Sequence, residues 1–129
     1  MRGGDVFNFV IREIPRDIKK TIEFSGISLD AIDYYIFHQA NNYINSFIAK
    51  KMKLDNSKIP QTINKYGNTS SVSVPLTIVS ELRGKLFEEK TLLLSAFGVG
   101  MCWSTAIIPF IDCNISNITE VENGEPIQS

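Results

Sequence analysis

Tyr34-Tyr35-Ile36-Phe37 runs straight into His38-Gln39-Ala40-Asn41 with no glycine or proline between them. An unbroken run of aromatic and β-branched residues predicts a short buried strand. Beyond Ala40 the period changes: Ile44, Phe47, Ile48 and Met52 recur at helical spacing, so a helix over 40–53 follows at once. A strand feeding directly into a helix is the repeating unit of α/β layer folds. It places His38, the only histidine of the chain, at the carboxyl edge of the strand, where such sheets open into a crevice. Position alone leaves two readings open: a histidine that caps the helix or fills a packing gap, and one that carries chemistry.

The flanking patterns fill in the layers. Val6, Val10, Ile14, Ile18 and Ile22 recur every four residues, widened by Phe7, Ile11 and Phe24. They predict a helix over 5–24 that starts at Gly4-Asp5, kinks or breaks at Pro15 and stops at Gly26. Ser28 to Ile32 reads as a helical turn or loop. Asp55 to Lys58 is a polar connection, and Ile59 to Ile63 reads as an edge strand, because Pro60 suits an edge better than a centre. Tyr66-Gly67-Asn68-Thr69 is a turn. Thr69 or Ser70 is expected to cap a helix over 71–84 with Val72, Leu76, Val79 and Leu82 inward, Pro75 early and Gly84 at its end. Thr91–Phe97 and Trp103–Ile111 read as apolar strands, and the link Gly98-Val99-Gly100 makes them a hairpin. Cys113 to Ile118 is either one more strand or part of a loose tail.

Charge and composition narrow the class. The net charge is −1, with 43% hydrophobic residues, and no stretch approaches the roughly 20 apolar residues of a membrane span. There is no basic footprint for nucleic acid. Residues 111–129 hold Asp112, Glu120, Glu122 and Glu125 and no Lys or Arg, which makes them an acidic tail beside a domain over 1–110. Lys50, Lys51, Lys53, Lys58 and Lys65 gather around the His38 segment and the Tyr66–Thr69 turn, as an ordinary solvated surface or as a face for an acidic partner. Cys102 and Cys113 have no metal-ligand spacing and form no disulfide framework. No apolar segment follows the first charges as a signal peptide requires, so the expected compartment is the cytoplasm.

Three motifs, His38-Gln39-Ala40-Asn41, Lys65-Tyr66-Gly67-Asn68-Thr69-Ser70-Ser71 and Ala96-Phe97-Gly98-Val99-Gly100-Met101-Cys102-Trp103, stand in a specific order behind Asp5-Val6-Phe7. From about Gly3 to Phe110 the chain resembles the C-terminal half of β-ketoacyl-acyl-carrier-protein synthase III, a thiolase-fold condensing enzyme. The implied fold is an α/β thiolase-like half-domain, a mixed sheet of about five strands or fewer with covering helices. The family's half-domain opens with a strand before the first helix, and here the pattern starts at the helix, so a half-domain without its first strand is expected.

The resemblance also implies a reaction: decarboxylative condensation of an acyl-CoA starter with malonyl-acyl-carrier protein, without a cofactor or a metal. Loss of CO₂ from the malonyl thioester leaves an enolate oxygen, which two neutral donors stabilise as charge develops. His38 and Asn68 are that pair by resemblance. Gly98 and Val99 sit where the family presents backbone N–H to the acyl oxyanion, although a β-branched Val99 replaces a glycine there. Asn41 is either a helix first-turn residue or a support to the site. Phe97, Lys50 and Lys51 are weaker candidates for substrate or carrier contact, the lysines because the arginine with which the family commonly holds its carrier is Tyr43 here. The family's nucleophilic cysteine lies in its N-terminal half. Neither cysteine here matches it, and Cys102 reads as a small core residue, so the chain alone is not expected to condense. Implied partners are acyl carrier protein, acyl-CoA and a second copy in a homodimer. Plant-type polyketide synthases use a similar His and Asn pair, but these motifs favour the synthase III branch. The competing reading is a non-catalytic acyl-thioester-binding module that pairs with another chain.

Overall fold

The computed structural model describes residues 3–98 and 100–121. A long helix, α1 (Gly3–Ser25), leads through a single 3₁₀ turn into strand β1 (Tyr34–Phe37) and helix α2 (Asn42–Met52). The short α3 (Ile63–Tyr66), a 3₁₀ turn over Ser70–Val72 and helix α4 (Ser73–Glu81) follow, and strands β2 (Lys90–Gly98) and β3 (Cys102–Phe110) close the fold. The sheet has three strands in the order β1-β2-β3. β1 lies parallel to β2 with Tyr35 beside Leu93, and β2 runs antiparallel to β3 with Leu93 beside Ile107. A mixed sheet with covering helices is the architecture expected, with three strands among the described residues.

The strand alternation divides the core. Tyr35, Phe37 and Leu93 pack with Val10, Ile14 and Ile18 of α1 and Ile44 and Ile48 of α2. Ile36 and Leu92 point to the opposite face and meet Leu82 and Leu86 in the segment that ends α4. Period-2 strands thus serve two helical layers. Helix α2 begins where Asn41 caps it, its side-chain oxygen accepting from Ile44 N, and ends at Lys53 in a left-handed conformation with φ 55°.

Helix α1 is continuous through Pro15, so of the kink or break expected there the break does not occur. Proline has no N–H to offer the carbonyl four residues back, Ile11. Lys51 of α2 fills that gap, its Nζ 2.8 Å from Ile11 O. Lys51→Met should therefore lower stability by about 1 kcal/mol. The loss should largely vanish in a Pro15→Ala background, where the restored N–H satisfies Ile11. A double-mutant cycle on chemical unfolding reads this directly.

Three other expectations change. Ile59 to Ile63 is not an edge strand: Thr62 N and Ile63 N both donate to the Gln39 side-chain oxygen, at 3.0 and 3.2 Å, so neither is free for a ladder. The helix expected over 71–84 is a 3₁₀ turn plus the nine residues of α4, and neither Thr69 nor Ser70 caps it through a side chain. Its buried positions are Ser73 and Thr77, whereas Val72 is 55% exposed and Leu76 and Val79 are half-buried. Ser73 and Thr77 can face inward because both hydroxyls are bonded there. Cys113 to Ile118 forms no strand, although Cys113 N donates to Leu86 O and Ile115 packs under α4.

Candidate active site

The site grows from the end of β1. His38 N donates to Ser95 O at 2.9 Å, so the sheet holds the backbone one residue past the assigned strand. The half-buried imidazole stands edge-on to Phe97, with ring centroids 5.0 Å apart and planes at 85°. Its Nδ1 lies 2.6 Å from Ser73 Oγ at the start of α4. Burial pushes the imidazole below its ordinary range, with a Ser70 backbone group pulling the other way.

Asn68 arrives from the other side on the turn after α3. Its Oδ1 accepts from Ser70 N at 2.9 Å, a local turn that asparagine favours. With the oxygen end held, the Nδ2 donors are the end left for a ligand. Gly67 takes φ +68° at this turn, open to glycine at little cost, and Ser70 takes φ 55°, which a serine seldom adopts. His38, Asn68, Phe97 and Gly98 line one cavity of about 610 Å³ together with Ser70, Ser73, Cys102 and Trp103. That volume is in the range of small-molecule sites. Among the described residues no charged side chain lines it, so a group that develops negative charge there meets neutral donors.

The remaining candidates are placed elsewhere. Asn41 is the α2 N-cap, in the first-turn role. Lys50 is exposed on α2, and the Lys51 ammonium sits on the Ile11 carbonyl and 5.8 Å from the centre of the Phe47 ring. Tyr43 is 68% exposed and stacks on Phe7. Val99 lies outside the described residues. Cys102 is not a core residue: it is exposed, at the start of β3 where it lines the cavity.

Two residues of the site escaped the sequence reading. Gln39 is fully buried. Its Nε2 donates to Phe37 O at 2.9 Å and its Oε1 takes the Thr62 and Ile63 amides, so it clamps the segment leading to Asn68 against β1. Ser73 joins His38 to α4. The polar pair Ser73 and Thr77, one helical turn apart on a helix of otherwise apolar inner face, was the available signal.

Acid should expose the burial of His38. The group is held neutral when folded and titrates near 6.5 when unfolded, so the unfolded chain binds the proton first. The stability His38 contributes is complete above pH 6.5 and is lost as the pH falls from there toward the folded pKa. Chemical unfolding on both sides of that pH should show native protein losing more stability on acidification than His38→Asn. Equal losses would contradict a neutral, buried ring.

A family model, the 3-oxoacyl-[acyl-carrier-protein] synthase III C-terminal domain, matches residues 22–110. The β-ketoacyl-[acyl-carrier-protein] synthase III of Streptococcus gordonii is 42% identical over 111 residues, which is 84% of this chain and 34% of that protein. The Lactococcus lactis subsp. cremoris enzyme of the same name is 37% identical over the same shares. Among solved structures, a 3-oxoacyl-(acyl-carrier protein) synthase from Burkholderia xenovorans superposes with a TM-score of 0.87 at 37% identity, covering 91% of this chain and 34% of that one. The chain thus spans about a third of the length of the curated relatives it matches. With the fold, the motif order and the matched span in agreement, the chain belongs to the 3-oxoacyl-[acyl-carrier-protein] synthase III C-terminal family.

Proposed function

We propose that this domain supplies the enolate-stabilising donors of a decarboxylating condensing enzyme, with malonyl-acyl-carrier protein as extender and an acyl-CoA as starter. The observation that carries the reading is the convergence of His38 and Asn68 on one cavity with no charged side chain among its described lining residues. As the malonyl carboxylate leaves as CO₂, the electron pair of the broken C–C bond moves onto the thioester, and negative charge gathers on its oxygen. The ring N–H of His38 and the Nδ2–H of Asn68 donate to that oxygen. Both are neutral, so neither must lose a proton to act. The Gly98–Val99 backbone is assigned to the acyl oxyanion. The nucleophilic thiol is assigned to the other half of the enzyme, since Cys102 matches the family's cysteine in neither place nor motif.

Lys50 and the neighbouring lysines are offered as the carrier-protein contact, with Lys51 shared with α1. A homodimer in a reducing cytoplasm completes the proposal and suits the free thiols Cys102 and Cys113. The test is malonyl-thioester decarboxylation by the enzyme bearing this domain, with His38 and Asn68 replaced in turn. Undiminished CO₂ release from both variants would end the reading.

A pairing module without catalysis is the second reading. The exposure of Val72 at 55%, Trp103 at 40% and Ile108 at 38% favours it, because these apolar side chains lack cover. A clean monomer in sedimentation would remove it.

A further inference from the structure

A neutral imidazole can donate from only one nitrogen, and the enolate reading needs that nitrogen to face the cavity. The ring has two tautomers, and the hydrogen bond at one nitrogen selects which is present. Nδ1 of His38 is committed to Ser73 Oγ at 2.6 Å, which leaves Nε2 for the cavity and for the Ser70 backbone group beside the ring.

The direction of the Nδ1 bond follows from the other partner of Ser73. Its Oγ also lies 3.2 Å from Gln39 N, and a backbone N–H can only donate. A serine hydroxyl has one proton and two lone pairs, and Gln39 occupies one lone pair. If His38 Nδ1–H took the second, the Ser73 proton would need another acceptor. No further hydrogen bond of this oxygen exists among the described residues. Ser73 is only 1% exposed, and an unbonded hydroxyl proton at that depth is disfavoured. The arrangement that satisfies every group has Gln39 N–H donating to Ser73 and the Ser73 O–H donating to His38 Nδ1.

We propose that Ser73 is a positioning residue that fixes His38 as the Nε2–H tautomer, with the Gln39 amide enforcing the direction of the bond. The serine is itself held. Thr77 Oγ1 donates to Ser73 O at 2.8 Å, and Thr77 Oγ1 pairs with Thr62 Oγ1 at 2.8 Å. These bonds tie the first turn of α4 to the segment that leads into Asn68. With Ser73 absent, the ring can place its lone pair toward the substrate and repel an oxyanion. The catalytic meaning rests on the proposed enolate chemistry. The tautomer does not.

The chain contains one histidine, so a long-range ¹H–¹⁵N spectrum of the labelled full chain shows one imidazole and needs no assignment. The expected spectrum at neutral pH has Nε2 protonated and Nδ1 as a hydrogen-bonded acceptor. Ser73→Ala should move the Nδ1 resonance to that of an unbonded acceptor and draw both nitrogens toward the averaged positions of a free ring. Ser73→Thr, which keeps the hydroxyl, should restore the native pattern. An Nδ1–H pattern in native protein overturns the proposal, as does a Ser73→Ala spectrum identical to native. Backbone amide spectra check that the variants fold, and Ser73→Cys, a weaker donor of similar size, replaces Ser73→Ala if that variant does not. Failure here leaves the decarboxylation result on His38→Ala standing, and failure there leaves this spectrum standing, so the two ideas fall separately.

Discussion

His38→Ala should slow malonyl-thioester decarboxylation by roughly 10²–10³-fold, the usual loss when one donor to a developing oxyanion is removed. In the proposed reaction the ring would contribute because it is already fixed: the sheet holds its backbone at Ser95, Phe97 flanks one side and Ser73 takes one nitrogen. Alanine removes the donor and leaves water, which must reorganise as charge develops. Asn68→Ala should fall in the same range. The double variant should lose less than the product of the two, because residues that act as a unit do not contribute additively. The measurement is CO₂ release at saturating malonyl thioester, which separates donor loss from weakened binding. A His38→Ala variant with native turnover and raised KM would mean the ring only holds substrate.

Gln39→Leu should destabilise the fold by roughly 3 kcal/mol, about 1 kcal/mol for each backbone group it strands. Those groups are Phe37 O, Thr62 N and Ile63 N. Leucine matches the side chain in size but can take none of them, and the buried site gives water little access. Gln39→Glu keeps the acceptor for the two amides, loses the donor to Phe37 and brings in a buried charge, so its deficit should grow from acid to neutral pH as the carboxyl ionises. Guanidinium unfolding reads both variants. A Gln39→Leu loss well under 1 kcal/mol would show that water reaches these amides, and the clamp would not be what holds the Asn68 segment.

Much of this was legible in the sequence for local reasons. The turn from the run Tyr34–Phe37 into the period of Ile44, Ile48 and Met52 needs no knowledge of anything distant, and neither does the hairpin around Gly98 and Gly100. What failed depended on partners far along the chain. Ile59 to Ile63 alternates well enough for a strand, but Gln39, more than 20 positions earlier, claims its amides. The apolar stripe of α4 pointed to Val72, but Ser73 and Thr77 go inward because His38 and Thr62 bond them. Cys102 was read as buried because it sits inside an apolar hairpin, and a hairpin pattern does not say which of its faces will be covered. The His38 and Asn68 pairing was seen through motif order, whereas Ser73 had no motif to announce it.

The strand that carries His38 also fixes when the site can exist. β2 and β3 are joined by a three-residue link and can zip as soon as they are made. Among the described residues β1 pairs with β2 alone, across a long span: Asp33, at its root, is bonded to Thr91, 58 positions away. Closing a loop of that length costs more entropy than closing a hairpin, and such contacts form slowly. The hairpin is therefore a template, and the imidazole reaches Phe97 and Ser73 only when β1 docks on it. The pocket around Phe97 and Cys102 is thus complete only with the long-range pairing that brings His38 to it.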